Sequence, residues 1–297
     1  MSRPLYCVLK NFSKTFEKPL DKTAKVWYNI YVINRRGVKE MVHYNLSGKK
    51  IDRRIHYIIV MDTETCNTRD VDGKLDMSSV FIYDMGWQVT DKQGRVYEQK
   101  SYIVKDIFEH ETELMQSAYY ADKIPQYLED IANGTRQVAT YYEIRQDFLD
   151  TMKRYETKTV AAHNMRFDNN ATNSTQRWLT KSKWRYFFPY GTELWDTMKM
   201  ANDVIATTPT YKQFCLDNGF VTKHKTPRPR VTAEILYRYI SGDIDFIEEH
   251  KGLEDVNIER QIMAYCFAKH KPMAKGVYEK SKKGAQYRVI KMPDPIA

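Results

Sequence analysis

Asp62 and Glu64 stand one residue apart at the end of the apolar run Tyr57-Ile-Ile-Val-Met, with Thr63 between them and Thr65 after them. A short β-branched run of this kind reads as a buried strand. Alternate residues of a strand share a face, so the two carboxylates project together at its end. Carboxylates that close repel unless positive charge sits between them. An oxygen-preferring divalent cation, Mg²⁺ or Mn²⁺, satisfies that need. A solvated turn offers the same residue types a simpler role, so the pair alone decides nothing.

Two later segments complete a ligand set. In Val160-Ala-Ala-His163-Asn164-Met-Arg-Phe167-Asp168 an apolar strand gives way to a polar turn, and Asp168 falls where a helix begins. Capping and the helix dipole by themselves favour an Asp there, and His163 and Asn164 have the chemistry of turn hydrogen-bonders. In the third, His250-Lys-Gly252-Leu-Glu-Asp255 runs into a segment where Ile258, Ile262 and Tyr265 or Cys266 recur at helical spacing. Asp255 therefore lies early in an amphipathic helix, with His250 in the loop before it.

The series D-x-E, H-N-x-x-F-D and H-x-G-L-E-D resembles the three motifs of the DEDDh family of 3′→5′ exonucleases, which includes polymerase proofreading subunits and RNase T-like enzymes. Gly252 stands where that family commonly has Ala, a change between small residues. The resemblance covers roughly residues 55–270 and keeps motif order. It implies that Asp62, Glu64, Asp168 and Asp255 hold two divalent metal ions, Mg²⁺ or Mn²⁺, about 3.5–4 Å apart for in-line displacement at phosphorus. It implies His250 as general base and nucleoside 5′-monophosphates as products. Thr65 would help to hold the terminal nucleotide, and His163 and Asn164 are further substrate-binding candidates. A rival third motif, Tyr239-x-x-x-Asp243 of the sister group, is rejected because Gly242 interrupts its helix.

These side chains need a scaffold that gathers strand ends and helix starts. Phe81–Thr90 and Arg95–Val104 flank Asp91-Lys-Gln-Gly94, a hairpin turn. Leu194-Trp-Asp196 followed by an amphipathic segment resembles a later strand and helix of the same family. The expected fold is α/β: a ribonuclease-H-like mixed sheet flanked by helices, with an N-terminal β-rich extension and a basic C-terminal tail. The domains expected are a basic, aromatic extension over 1–54, the exonuclease domain over 55–270 and the tail over 271–297.

Charge is divided unevenly. Residues 1–60 carry 13 Lys and Arg against 4 Asp and Glu, and residues 269–297 carry 8 against 2, so the middle is net acidic although the whole chain is +9. Acid around a metal site repels a polynucleotide, and basic flanks can neutralise phosphate; solubilising ends have the same composition. Residues 26–44 read as a hairpin with aromatic and basic residues interleaved, suited either to single-strand stacking or to an ordinary packed sheet. The tail has no apolar period and reads as partly disordered until bound. The loop Thr222–Arg230 carries Lys223, Lys225, Arg228 and Arg230 without an acid, and contact with a nucleic-acid backbone is expected of it. Its prolines exclude regular structure.

No apolar run approaches the ~18 residues of a membrane-spanning helix, and the four scattered cysteines form no C-x-x-C pair. An intracellular setting follows, in the cytoplasm or a host cell's cytoplasm, with no membrane partner. The expected activity is 3′→5′ hydrolysis of single-stranded or mispaired DNA ends. Proofreading, and with it a role in DNA replication, would require a separate DNA polymerase as partner. The alternatives are an exoribonuclease acting on RNA and a catalytically quiet nucleic-acid-binding scaffold of the same fold.

Overall fold

The computed structural model describes residues 29–33, 39–43, 51–69, 75–118, 120–180 and 185–291. The chain divides into two compact units, Met1–Ile51 and Asp52–Ala297. In the first, strands β1 (Asn29–Ile33) and β2 (Lys39–His43) pair antiparallel from Asn29↔His43 to Ile33↔Lys39, as expected of the two arms of a hairpin; residues 26–28, 34–38 and 44 of that reading lie outside the described residues.

The second unit is built on six strands: β3 (Ile58–Arg69), β4 (Leu75–Thr90), β5 (Val96–Val104), β6 (Gln137–Ala139), β7 (Thr159–Ala162) and β8 (Glu193–Asp196). Their spatial order is β6-β5-β4-β3-β7-β8. The β3–β4 and β4–β5 pairs are antiparallel, while β3–β7, β7–β8 and β5–β6 are parallel. This is the expected mixed sheet, with β6 and β8 at its two edges. The continuous apolar run of β3 is explained by its central place: Ile58, Ile59, Val60 and Met61 are all fully buried, so both faces are covered. Asp91 builds the β4–β5 turn, its carboxylate accepting from the backbone N–H groups of Gln93 (2.9 Å) and Arg95 (3.1 Å), with Gly94 at φ +78°.

The helices are α1 (Lys105–Phe108), α2 (Thr112–Ser117), α3 (Ile124–Ala132), α4 (Tyr141–Arg154), α5 (Met165–Leu179), α6 (Thr197–Val204), α7 (Pro209–Asp217), α8 (Ala233–Ser241) and α9 (Gly252–Ala268). On one side of the sheet Ile58 and Val60 join Met200, Val204, Tyr211, Leu236, Val256, Ile262 and Cys266 in a core. Elsewhere Trp87, Tyr102, Phe148 and Phe187 form an aromatic group, with Phe148 at 5.3 Å from both Trp87 and Phe187.

The segment after α9 corrects the expectation of disorder, at least through residue 291. Asp203 of α6 is fully buried, and its carboxylate accepts from the backbone N–H groups of Ala274 (2.8 Å) and Lys282 (2.9 Å) and from the Ser281 hydroxyl. Val277 N–H donates to Leu194 O (3.1 Å) and Ile290 N–H to Pro227 O (2.9 Å). Backbone bonding to one buried acid orders a stretch that has no apolar period. The 222–230 loop is also more regular than its prolines imply. Thr222 N–H donates to Arg228 O and Arg230 N–H to Phe220 O, each at 2.9 Å, making a narrow antiparallel ribbon. Pro227 and Pro229 alternate with the residues that donate, so no donor is lost.

Candidate active site

β3 delivers the first acids. Asp62 pairs across the ladder with Gly86 and Glu64 with Asp84, and a bulge between Glu64 and Thr65 ends the regular register. Between them the Thr63 hydroxyl donates to Asp168 Oδ1 at 2.8 Å. Asp168 lies in the first turn of α5, which begins behind a left-handed Asn164 (φ 67°) and is 2% exposed.

Helix α9 delivers Asp255, and a buried ion-pair network sets where that helix starts. Asp84 of β4 and Arg136 are almost fully buried, and Arg136 Nη1 donates to both Asp84 oxygens at 2.9 Å. Asp84 Oδ2 also accepts from Gly252 N–H at 3.0 Å, and Arg136 Nη2 reaches Glu254 at 2.5 Å. Lys251 and Arg136 share Asp130 at 3.0 and 3.2 Å. Glycine at 86 and 252 lets the helix touch the strand backbone: a Cβ on Gly86 would lie 2.4 Å from Leu253 N.

Ligand atoms of Glu64, His250 and Asp255 then all fall within 4.8 Å of one another. His250 sits in a left-handed loop conformation (φ 52°), stacked on Tyr120 at 4.4 Å between centroids, and its carbonyl accepts from Tyr127 OH at 3.4 Å. Burial and then Lys123 hold the imidazole pKa below its ordinary value, so the ring is neutral near pH 7 and able to take a proton.

The carboxylates are electrostatically strained without a cation. Burial, then Asp84 and Glu248, push Glu64 up to about 8. Burial, then Glu248 and Glu64, push Asp255 up to about 9. Burial raises Asp168 to about 7 against the opposing bond from Thr63. Asp62 is driven well above the carboxylate range by burial and then by Glu259, Asp168, Glu64 and Asp255. Asp255 Oδ1 is buried with no hydrogen-bond partner. A set of hard oxygen donors with one imidazole, short of positive charge and with a lone pair unused, fits Mg²⁺ or Mn²⁺.

A cleft of about 570 Å³ opens beside Asp62 and is lined by His163, Asn164, Arg228 and Arg230 among others. Of the substrate-binding candidates these four therefore face one space. Lys223 and Lys225 are exposed and do not line it, and neither does Thr65. His163 is held internally, Nε2 at 2.7 Å from Val231 O and Nδ1 at 2.9 Å from Thr197 Oγ1. That bonding makes it a strut between β7, α6 and the ribbon. Tyr239 lies apart from this group, its hydroxyl 2.8 Å from Thr210 Oγ1, and Asp243 is exposed.

Three contributors escaped the sequence reading. Glu259 is 2% exposed, with Oε2 unpartnered, and its pKa is raised well above normal by burial and then Asp168. Its i+4 spacing from Asp255 was a usable signal. Glu248, two residues before His250, and Arg288, in the C-terminal segment, also line the cleft; neither belongs to a motif.

No family model and no curated protein sequence matches the chain. Among solved structures it is similar to a full-length 3′-exonuclease (12% identity, TM-score 0.48, covering 82% of this chain and 93% of that one). It is similar to the nuclease domain of 3′hExo, a DEDDh family member, bound to rAMP (13%, 0.47, 76% and 98%). A third is E. coli Exonuclease I in complex with a dA16 oligonucleotide (14%, 0.43, 69% and 39%). These solved structures to which the chain is similar are 3′-exonucleases, one of them a DEDDh family member.

Proposed function

We propose that this chain is a metal-dependent 3′→5′ exonuclease that releases nucleoside 5′-monophosphates from single-stranded or mispaired 3′ DNA ends. Proofreading in trans, beside a separate polymerase, is the corresponding cellular role. The observation that carries the reading is the convergence of Glu64, His250 and Asp255 within 4.8 Å, with a buried Asp255 oxygen left unpartnered.

Asp62, Glu64, Asp168 and Asp255 are the residues that would hold the divalent ions. Bound there, such ions would lower the pKa of an attacking water and neutralise the departing 3′-oxygen. His250 accepts the water's proton, its neutral ring kept available by burial and by Lys123. Tyr120 fixes the plane of that ring by stacking. Thr63 orients Asp168 by donating to its Oδ1. The cleft beside Asp62 has arginines on its wall, suited to the backbone of an incoming strand.

The test is digestion of matched 5′-labelled single-stranded DNA and RNA in Mg²⁺, Mn²⁺ or EDTA, beside Asp62→Ala. A metal-dependent ladder that shortens from the 3′ end and is missing in the variant supports the reading, and comparing DNA with RNA identifies the preferred sugar. Cleavage that persists in EDTA or in Asp62→Ala would sink the two-metal assignment.

A further inference from the structure

Arg228 and Arg288 reach the cleft from different parts of the chain, one from the proline-containing ribbon and one from the segment after α9. The Nε of each is buried without a hydrogen-bond partner. Arg288 Nη1 donates to Asn202 Oδ1 at 2.6 Å, a neutral acceptor. Arg228 bonds to Thr222 through its backbone: its N–H donates to Thr222 Oγ1 at 3.1 Å and its carbonyl accepts from Thr222 N–H.

Buried arginines elsewhere in this protein behave differently. Arg136 meets Asp84, Asp130 and Glu254, and Arg154 meets Glu98 at 2.7 Å. Among the described residues neither Arg228 nor Arg288 is ion-paired, although Asp62, Glu248 and Glu259 line the same cleft. Burial and Arg228 both disfavour the charge on Arg288, with Asp203 acting the other way. Two guanidinium groups that line one cleft and have no acidic partner among the described residues are short of an anion. Guanidinium donors match phosphate oxygens in geometry as well as charge.

We propose that Arg228 and Arg288 together form a clamp for two neighbouring backbone phosphates of the bound nucleic-acid strand. This rests on the exonuclease reading and adds to it a role for the C-terminal segment, which lies outside the three motifs. The staples from Asp203 and from Pro227 to Ile290 hold that segment against the domain and so keep Arg288 at the cleft wall.

The experiment is fluorescence anisotropy of labelled oligo(dT) and oligo(U) with the full chain in EDTA, over a series of KCl concentrations. Arg228→Ala and Arg288→Ala should each weaken binding several-fold and flatten the slope of log K against log[salt] by about 0.7, the value for one phosphate contact on a single strand. Asn202→Ala removes the internal partner of Arg288 but no charge, and should keep the wild-type slope. Arg288→Lys should recover the slope but not the full affinity. Should Arg288→Ala lose the packing of its segment, Arg228→Ala still reports. Wild-type slopes in both alanine variants, in a protein that trims 3′ ends, would overturn the clamp alone. A wild-type chain that binds neither oligonucleotide would overturn the clamp and, if it also cleaves nothing, the exonuclease reading.

Discussion

Gly86 on β4 and Gly252 at the start of α9 lie backbone to backbone, so close that a Cβ built on Gly252 would stand 2.8 Å from Gly86 N and one built on Gly86 would stand 2.5 Å from Gly252 C. Since Gly86 pairs with Asp62 in the ladder, this contact sets how near the helix that carries Asp255 comes to the strand that carries Asp62 and Glu64. Gly252 is therefore more than a small-for-small replacement of the alanine common in the resembled motif. Gly86→Ala should destabilise by about 1–3 kcal/mol, as overpacking does, and should lose cleavage because α9 is pushed off the strand. Gly252→Ala should do the same more mildly. Urea unfolding and end-trimming rates on both variants check this; unchanged rates would mean the helix can slide without harm.

Arg136 is the anchor of the same junction. It is buried among Asp84, Asp130 and Glu254, so removing it leaves Asp84 charged, fully buried and uncompensated. Arg136→Ala should cost about 3–5 kcal/mol. The double variant with Asp84→Asn should recover part of that loss. A double variant no more stable than the single one would show that the loss comes from packing rather than from charge.

The acids proposed to hold the metal ions should trade stability for activity in the opposite sense. Asp255→Asn removes a group pushed to about 9 by burial and neighbouring acids. The metal-free variant should melt no lower than the wild type, while cleavage disappears. His250→Ala should lower turnover by about 10²–10⁴, the contribution of a general base, with oligonucleotide affinity nearly unchanged. Thermal melts in EDTA and single-turnover rates separate these effects. A clear drop in the melting temperature of Asp255→Asn would mark that carboxylate as structural.

Metal and pH should be linked. Without metal, Glu64 and Asp255 keep their protons up to about 8 and about 9, whereas the same groups in an unfolded chain release theirs near 4. Between those limits the folded state binds more protons, so the stability of the metal-free protein falls as pH rises through the window. Metal binding displaces those protons and strengthens over the same range. The rise in melting temperature on adding Mn²⁺ should therefore be larger at about pH 8.5 than at about pH 5.5. A shift of equal size at both pH values would contradict the buried-carboxylate picture.

The elements that carry the site were legible in the chain because local pattern determines them. The apolar run before Asp62 reads as a buried strand, and the helical period after Asp255 places that acid early in a helix. The Asp91-to-Gly94 turn followed from residue types alone. Tertiary structure decided which charges meet. Glu259 shares a helix face with Asp255 by its i+4 spacing, but only the packing of α9 against β3 and β4 buries it beside Asp62 and Asp168. Arg136 and Asp84, 52 residues apart, have no local signature that pairs them. The segment after α9 looked unstructured because its order comes from backbone donors meeting the Asp203 carboxylate on α6, a contact between residues about 70–80 positions apart that no periodicity encodes. Spacing along a chain reports which face of an element a side chain takes; the partner on the other side of that face is set by how the elements pack.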